Sequence, residues 1–320
     1  MPDLTKTSTS DETAAAQDEV VAGAAVSAVP APGKPRSLWG DAWRDLRRNP
    51  LFVISAVLIL VLLLVAAFPG LFTSANPESG DQVNHFLGKP NLGHFFQPDW
   101  FGYDRTGRSI YARVLYGARN SITVGISVTL LVTLFGGLCG MLAGYFGGFW
   151  DSLISRLTDV FFGIPFLLGA MVVLNAFTER TVWVVTGALA FLGWTQIARV
   201  MRGAVITTKH ADYVVAARAL GAGTKRIMFR HILPNAIAPV IVVATISLGT
   251  YIVAESTLSY LGLGLADDAI SWGGDISDAT QDIRNNPHTL FFPAGMLSLT
   301  VLAFIMMGDA VREALDPKLR

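Results

Sequence analysis

An all-α membrane protein crossing the bilayer about six times is the fold class this sequence predicts, and three observations predict it. The 320 residues are 52% hydrophobic and only 15% charged, with a mean hydropathy of +0.49, too apolar for a soluble chain of this length. Six apolar runs reach or approach the roughly 20 residues that a spanning helix needs. Between the fourth and fifth runs lies a basic, glycine-broken stretch, about residues 204–236, with helical periodicity but no apolar length to cross.

Residues 1–37 hold Ala, Ser, Thr, Pro and acidic residues with almost nothing large to bury, the composition of a disordered tail. Their start lacks the basic segment and apolar core of a signal peptide. Arg44, Arg47 and Arg48 then precede the first span, about 51–68, almost uninterrupted Leu, Val, Ile and Ala. The second span, about 121–146, carries Gly136, Gly140 and Gly144, with Gly148 beyond it, at intervals of four. Such a stripe lets another backbone come close, either within this chain or from a second subunit. Pro165 is expected to kink the third span, about 158–177. The fourth, fifth and sixth spans fall at about 182–201, 237–261 and 290–308. Asp159 with Arg156, and Asp309 with Arg312, have the spacing of local helical ion pairs.

Orientation follows from Lys and Arg in short loops. Arg199, Arg202, Lys209, Arg218, Lys225, Arg226 and Arg230 face a single Asp212, which assigns that side to the cytoplasm. Asp267, Asp268, Asp275, Asp278 and Asp282 face only Arg284, which assigns that side outside. Six spans then leave both termini cytoplasmic, as in a multi-pass plasma (inner) membrane protein. Arg105, Arg108, Arg113 and Arg119 disagree, since they precede the second span on the outer side. An amphipathic helix over 107–119 lying at the outer interface reconciles them.

Several functions are disfavoured. Cys139 is the single cysteine, so there is neither a disulfide framework nor a thiolate metal cluster. The five histidines, at 85, 94, 210, 231 and 288, have no ligand spacing, and no nucleic-acid motif is present. Gly221-Ala-Gly-Thr-Lys225 is followed by Arg226, not Ser or Thr, and lacks the strand a phosphate loop needs. Nothing points to catalysis in this chain.

Within the basic stretch, apolar residues at 214, 217 and 220, then 227, 228 and 232, predict two short amphipathic helices. Gly221 and Gly223 separate them, and Pro234 is expected to end the second. This pair resembles the loop that ABC-importer permeases present to their ATPases, with Ala216, Ala217, Gly221, Leu233 and Pro234 on the family pattern. Val215 stands where many members carry Glu, and His231 stands at an Ile position. The resemblance extends over Trp100-Phe-Gly102, Tyr116-Gly117-Ala118-Arg119, Glu255-Ser-Thr-Leu-Ser-Tyr-Leu-Gly262, Ser271-Trp272-Gly273 and Gly308-Asp309. Tyr103 and Ser109 stand where Thr and Asp are usual. Over roughly 38–320 the chain is similar to the second permease subunit of dipeptide, oligopeptide and nickel importers.

The resemblance implies the type I importer permease fold, a cargo of di- or oligopeptides, and a set of partners. Those are a homologous permease, two ABC ATPase subunits, an extracytoplasmic substrate-binding protein and membrane lipid, with no nucleic acid. It implies ATPase docking by Ala216, Ala217, Gly221, Ala222, Gly223, Arg230, Leu233 and Pro234. Ser247, Thr250, Tyr251 and Glu255 on the fifth span are candidates for the pathway. Glu255, an acid inside a span, either faces that pathway or lies near the outer end, wet or paired with backbone amides of the 262–264 turn. A nickel chelate, haem or another small solute is the alternative cargo. The alternative class is an ion-coupled secondary transporter, which would be expected to show internal repeats and mid-membrane acids.

Overall fold

The computed structural model describes residues 38–266 and 269–315. The expected tail at 1–37 lies outside the described residues, as do Asp267, Asp268 and residues 316–320. The chain divides into two units, Met1–Asp41 and Ala42–Arg320. The second holds everything discussed below, and its described elements are helices joined by turns.

Helix α1, Leu38–Arg48, crosses from one unit into the other and ends on Arg47 and Arg48. Asn49 starts α2, Pro50–Ala67, by accepting from the Leu51 N–H, and Pro50 supplies the preset first turn. Helix α3 runs unbroken over Ile110–Phe146. After it come α4, Gly148–Phe162, and α5, Phe166–Asn175. Helix α6 is Val182–Thr208, α7 is Asp212–Ala219 and α8 is Leu233–Tyr260. The last two are α9, Trp272–Ala279, and α10, His288–Leu315. Five helical runs are long and apolar enough to cross a membrane, and a sixth crossing requires the bent pair α4–α5 to count as one span.

The glycine stripe of α3 is spent inside the chain. A β-carbon on Gly136 would sit 3.1 Å from Cβ of Ile197, and on Gly140 and Gly144 it would sit 2.8 Å from Cβ of Met201 and Val205. All three partners lie on α6, so the stripe is the seam of the α3–α6 pair. Gly148 does not belong to it, since a β-carbon there meets nothing within 4 Å. Helix α6 is the most buried of the spans, whereas α2 and α10 turn most of their apolar surface outward. Val53, Ile54, Val57, Leu60 and Leu64 of α2 are exposed side chains of the kind that suits lipid.

The structure corrects four expectations. Residues 107–119 are not a separate interfacial helix. Gly107 sits in a turn at φ +75°, Ser109 caps α3, and Ile110 to Leu115 are buried first turns of that span. Three of the four outlying arginines are paired with acids instead. Arg105 forms a two-pronged pair with Asp282, both bonds at 3.0 Å. Arg108 contacts Asp104 at 2.7 Å and Asp278 at 3.6 Å, and Arg113 contacts Asp275.

Second, Pro165 does more than kink its span. The axis turns by 86° between Phe162 and Phe166. Proline bars Ile164 from helical geometry and lacks the N–H that would continue the ladder, while the Gly163 and Ile164 N–H groups close the end of α4. Third, Pro234 does not end a helix. Residues 227–232 form a π-helical turn that runs directly into α8, and the Leu233 N–H bonds the Met228 carbonyl, five residues back. Asn235 Nδ2 donates to the His231 carbonyl at 2.9 Å. The wider turn absorbs the missing proline donor. Fourth, Asp159 pairs with Arg199 of α6 at 2.8 Å, not with Arg156. At the other end of the chain the paired acid is Glu313, bonded to Asn49 at 2.9 Å, with no Asp309–Arg312 ion pair among the described residues.

Candidate functional site

Two features stand out, a cavity at the break between α4 and α5 and an exposed loop between α6 and α8. The cavity has a volume of about 390 Å³. Phe161, Phe162, Pro165 and Phe166 form its wall at the break, Leu192 and Gln196 contribute from α6, and Ser247, Thr250 and Tyr251 from α8. Three of the four residues expected on the pathway therefore meet in one place. Tyr251 is nearly buried, and its hydroxyl donates to the Gly193 carbonyl at 3.3 Å. Gly193 permits that approach, because a β-carbon there would lie 2.7 Å from the hydroxyl oxygen.

Gln196 was not anticipated, yet its exposed side chain supplies a cavity amide. The signal was present in the polar Thr195-Gln196 pair inside an otherwise apolar span. No charged side chain lines the cavity among the described residues. A lining of hydroxyls, one amide and aromatic rings suits uncharged polar groups such as peptide bonds, and imposes little selectivity on side chains.

Glu255 is not part of that cavity. It is 0% exposed, accepts from Ser259 Oγ at 2.8 Å and from Ser256 Oγ at 3.3 Å. It lies near the end of α8 that precedes the 262–264 turn, but it is neither wet nor paired with backbone amides there. It faces no open pathway here, and it reaches the following turn only through Ser259, whose oxygen accepts from the Leu265 N–H at 3.3 Å. Serine hydroxyls one residue and one turn away, both on α8, supply what a buried carboxyl requires.

In the loop, α7 ends in a tight reversal. Gly221 lies at φ +82°, its N–H bonds the Arg218 carbonyl at 3.0 Å and the Ala222 N–H bonds the Ala217 carbonyl at 3.1 Å. This doubly bonded glycine cap satisfies carbonyls that the helix end would leave open. Ala216, Gly221, Gly223, Arg230 and Pro234 are exposed, while Ala217, Ala222 and Leu233 are half-buried. Val214, Ile227, Met228 and Ile232 anchor the loop in the core. Leu220 departs from the expected buried face and is 88% exposed, because the reversal carries it outward. Together with Tyr213, Val215 and Phe229 it forms an uncovered apolar surface beside Arg218, Lys225, Arg226 and Arg230. Around the loop, Arg202 pairs with Asp151, and Lys209 Nζ donates to the Gly144 carbonyl at 2.8 Å.

Comparison with known proteins bears on this arrangement. Residues 136–320 match the family described as "Binding-protein-dependent transport system inner membrane component". Residues 37–92 match "N-terminal TM domain of oligopeptide transport permease C". The chain is 36% identical over 287 residues to the oligopeptide transport system permease protein OppC of Bacillus subtilis (strain 168), covering 90% of this chain and 92% of that protein. It is 36% identical over 299 residues to the glutathione transport system permease protein GsiD of Escherichia coli O6:K15:H31, covering 93% and 97%. The GsiD protein of Salmonella typhimurium (strain LT2) is 38% identical over 289 residues, covering 90% and 93%.

Proposed function

Because the chain belongs to the binding-protein-dependent inner-membrane permeases of ABC importers, we propose that it forms half of a translocation pathway for di- or oligopeptides and couples that pathway to cytoplasmic ATPases. The observation carrying the coupling role is the uncovered apolar and basic surface on the loop between α6 and α8, closed by Gly221. A monomer gains nothing from leaving Val215, Leu220 and Phe229 outside, and a polar-rimmed apolar patch is what a partner covers. The cavity beside Ser247, Thr250 and Tyr251 supports the pathway role. The similar proteins are named for oligopeptide and glutathione transport, and both cargoes contain peptide bonds.

In this reading the loop faces the cytoplasm, with both termini on the same side. ATP and Mg bind the two ATPase subunits, whose closure moves the loop. The bent pair α4–α5 then shifts against α8, and the cavity shared with a homologous permease opens to cargo delivered by an extracytoplasmic binding protein. Hydrolysis resets it. Selectivity follows the binding protein, since the lining carries no charge to select a side chain. Nickel chelate, haem or another small solute in the same role is the alternative cargo.

Reconstitution in liposomes tests the proposal. Peptide uptake is expected only with this chain, the second permease, both ATPases, the binding protein and ATP together. Uptake by this chain alone on an ion gradient would overturn it in favour of a secondary transporter.

A further inference from the structure

The segment between α2 and α3 carries an apolar tip that neither the pathway nor the ATPase surface uses. Leu92, Phe95 and Phe96 are 63%, 63% and 61% exposed within the run 91–97. The tip is organised by its own bonds. Asn91 N–H donates to the Asp99 carbonyl at 3.0 Å, and His94 Nδ1 lies 2.9 Å from Asp99 Oδ2. Phe96 takes φ +62°, a conformation that a bulky side chain resists, and it does so with its ring on the outside. Backbone strain kept at an exposed ring points to a use for that ring.

The height of the tip relative to the bilayer follows from α10. Asn49 and Glu313 meet at 2.9 Å, which places the polar start of α2 beside the end of α10 and marks one membrane boundary. Phe292 lies about 21 residues away along α10, roughly 31 Å at 1.5 Å per residue, the thickness of the hydrocarbon core. Phe292 therefore stands at the opposite boundary, next to Phe291, which is 70% exposed. Phe101 stacks on Phe292 with ring centres 4.1 Å apart. Trp100 lies 4.8 Å from Phe101, and Phe95 and Phe96 lie 5.4 and 5.3 Å from Trp100. An aromatic ladder thus joins the lipid-facing belt of α10 to the exposed tip in three short steps.

We infer that Leu92, Phe95 and Phe96 insert into the headgroup zone of the leaflet opposite the basic loop, as an interfacial anchor for the segment between α2 and α3. Aromatic rings favour that depth. The headgroup zone adds roughly 5–8 Å beyond the core on each side, the same scale as the ring-to-ring steps of 4.1 to 5.4 Å. Lipid is the occupant because the apolar surface continues from the membrane belt through touching rings. The inference requires that α10 spans the bilayer and is independent of the cargo proposed above.

The test uses full-length protein in phosphatidylcholine–phosphatidylglycerol vesicles, in a Cys139→Ala background. A fluorophore is placed by Leu92→Cys, by Phe96→Cys or, as a control, by Ser79→Cys at an exposed polar site. Leu92 makes none of the ring contacts, so Leu92→Cys keeps the test open if Phe96→Cys fails to insert. Headgroup-spin-labelled lipid is expected to quench the Leu92 and Phe96 positions about twofold more than the Ser79 position, as for a group sunk into the interface. Equal quenching at all three positions would overturn the inference. So would shielding of the label that depends on adding the extracytoplasmic binding protein, which would assign the tip to a soluble partner.

Discussion

Gly221 is set by backbone conformation in the chain itself, and the proposed docking gives it a second reason. At φ +82° a β-carbon meets nothing within 4 Å, so a substitution costs backbone strain of about 1–2 kcal/mol and no clash within the chain. Gly221→Val is therefore expected to insert and melt close to wild type but to lose ATPase co-purification and transport. Asn tolerates this conformation, so Gly221→Asn should retain more of both. Normal transport by the Val variant would refute the docking role of the turn. Glu255 is the opposite case, required by the fold itself. Glu255→Ala would leave the Ser256 and Ser259 hydroxyls facing a void, a loss of about 2–4 kcal/mol. Glu255→Gln keeps one acceptor and should lose less. Thermal melting in detergent separates the variants, and an Ala variant as stable as wild type would show that the serine cage carries no weight. Tyr103 and Ser109, two of the departures from the family pattern, face each other as an isolated antiparallel bridge. Tyr103 also stacks on His85 at 4.3 Å and Ser109 caps α3. The spacing of six residues hid that partnership.

Among the elements, α9 is held by charge and by one indole. Trp272 is fully buried, and its Nε1 donates to the Val114 carbonyl at 2.9 Å, while Arg113 and Asp275 pair close by. Removing one partner of a buried pair leaves an uncompensated charge, whereas removing both with apolar groups is often neutral. Arg113→Met is therefore expected to cost about 3–5 kcal/mol, and Arg113→Met/Asp275→Leu much less. A double variant as unstable as the sum of the singles would show that the two residues act independently. Asp104 supplies a pH dependence at the same end of the protein. Burial pushes its carboxyl up, but hydrogen bonds from the Thr106 hydroxyl and from the Arg108 backbone and guanidinium outweigh burial, and the carboxyl rests below its ordinary 3.8. A lowered carboxyl contributes stability that is present above its unfolded value and lost as pH falls through the folded one. Hydrogen exchange over 102–110 should thus quicken as pH drops below about 3.8 in wild type, after correction for intrinsic rates. Asp104→Asn should remove that acid step, and an unchanged step would assign it elsewhere.

For the molecule as a whole, the direction of the spans rests on charge. The loop around α7 is basic and the described acidic residues near α9 lie on the other polar side, where Asp275, Asp278 and Asp282 meet three arginines. Those pairings engage three of the four arginines that argued against a cytoplasmic loop. Cysteines introduced at His210 and Thr280, both exposed, in a Cys139→Ala background should react with impermeant reagent from opposite faces in sealed vesicles. Labelling of both from one face would refute the crossing by α8, and labelling of position 210 from outside would refute the proposed orientation.

Membrane residence, five of the six spans and the place of the polar loop were legible in the chain, because apolar length and glycine or proline punctuation act locally and a bilayer reads them directly. The glycine turn of the loop and the cavity-lining hydroxyls of α8 were legible too, by spacing and by polarity within an apolar run. Pairings across distance were not. Asp159 chose Arg199 over Arg156, the outer arginines found aspartates some 160 to 180 residues on, and the α3 glycines met α6. Such choices depend on which helices become neighbours, and burial then rewards whichever partner is within reach. The 86° turn at Pro165 and the passage of a helix through Pro234 have the same origin. Proline removes one donor in both places, but packing around each site settles whether the chain breaks there, or widens by one residue and goes on.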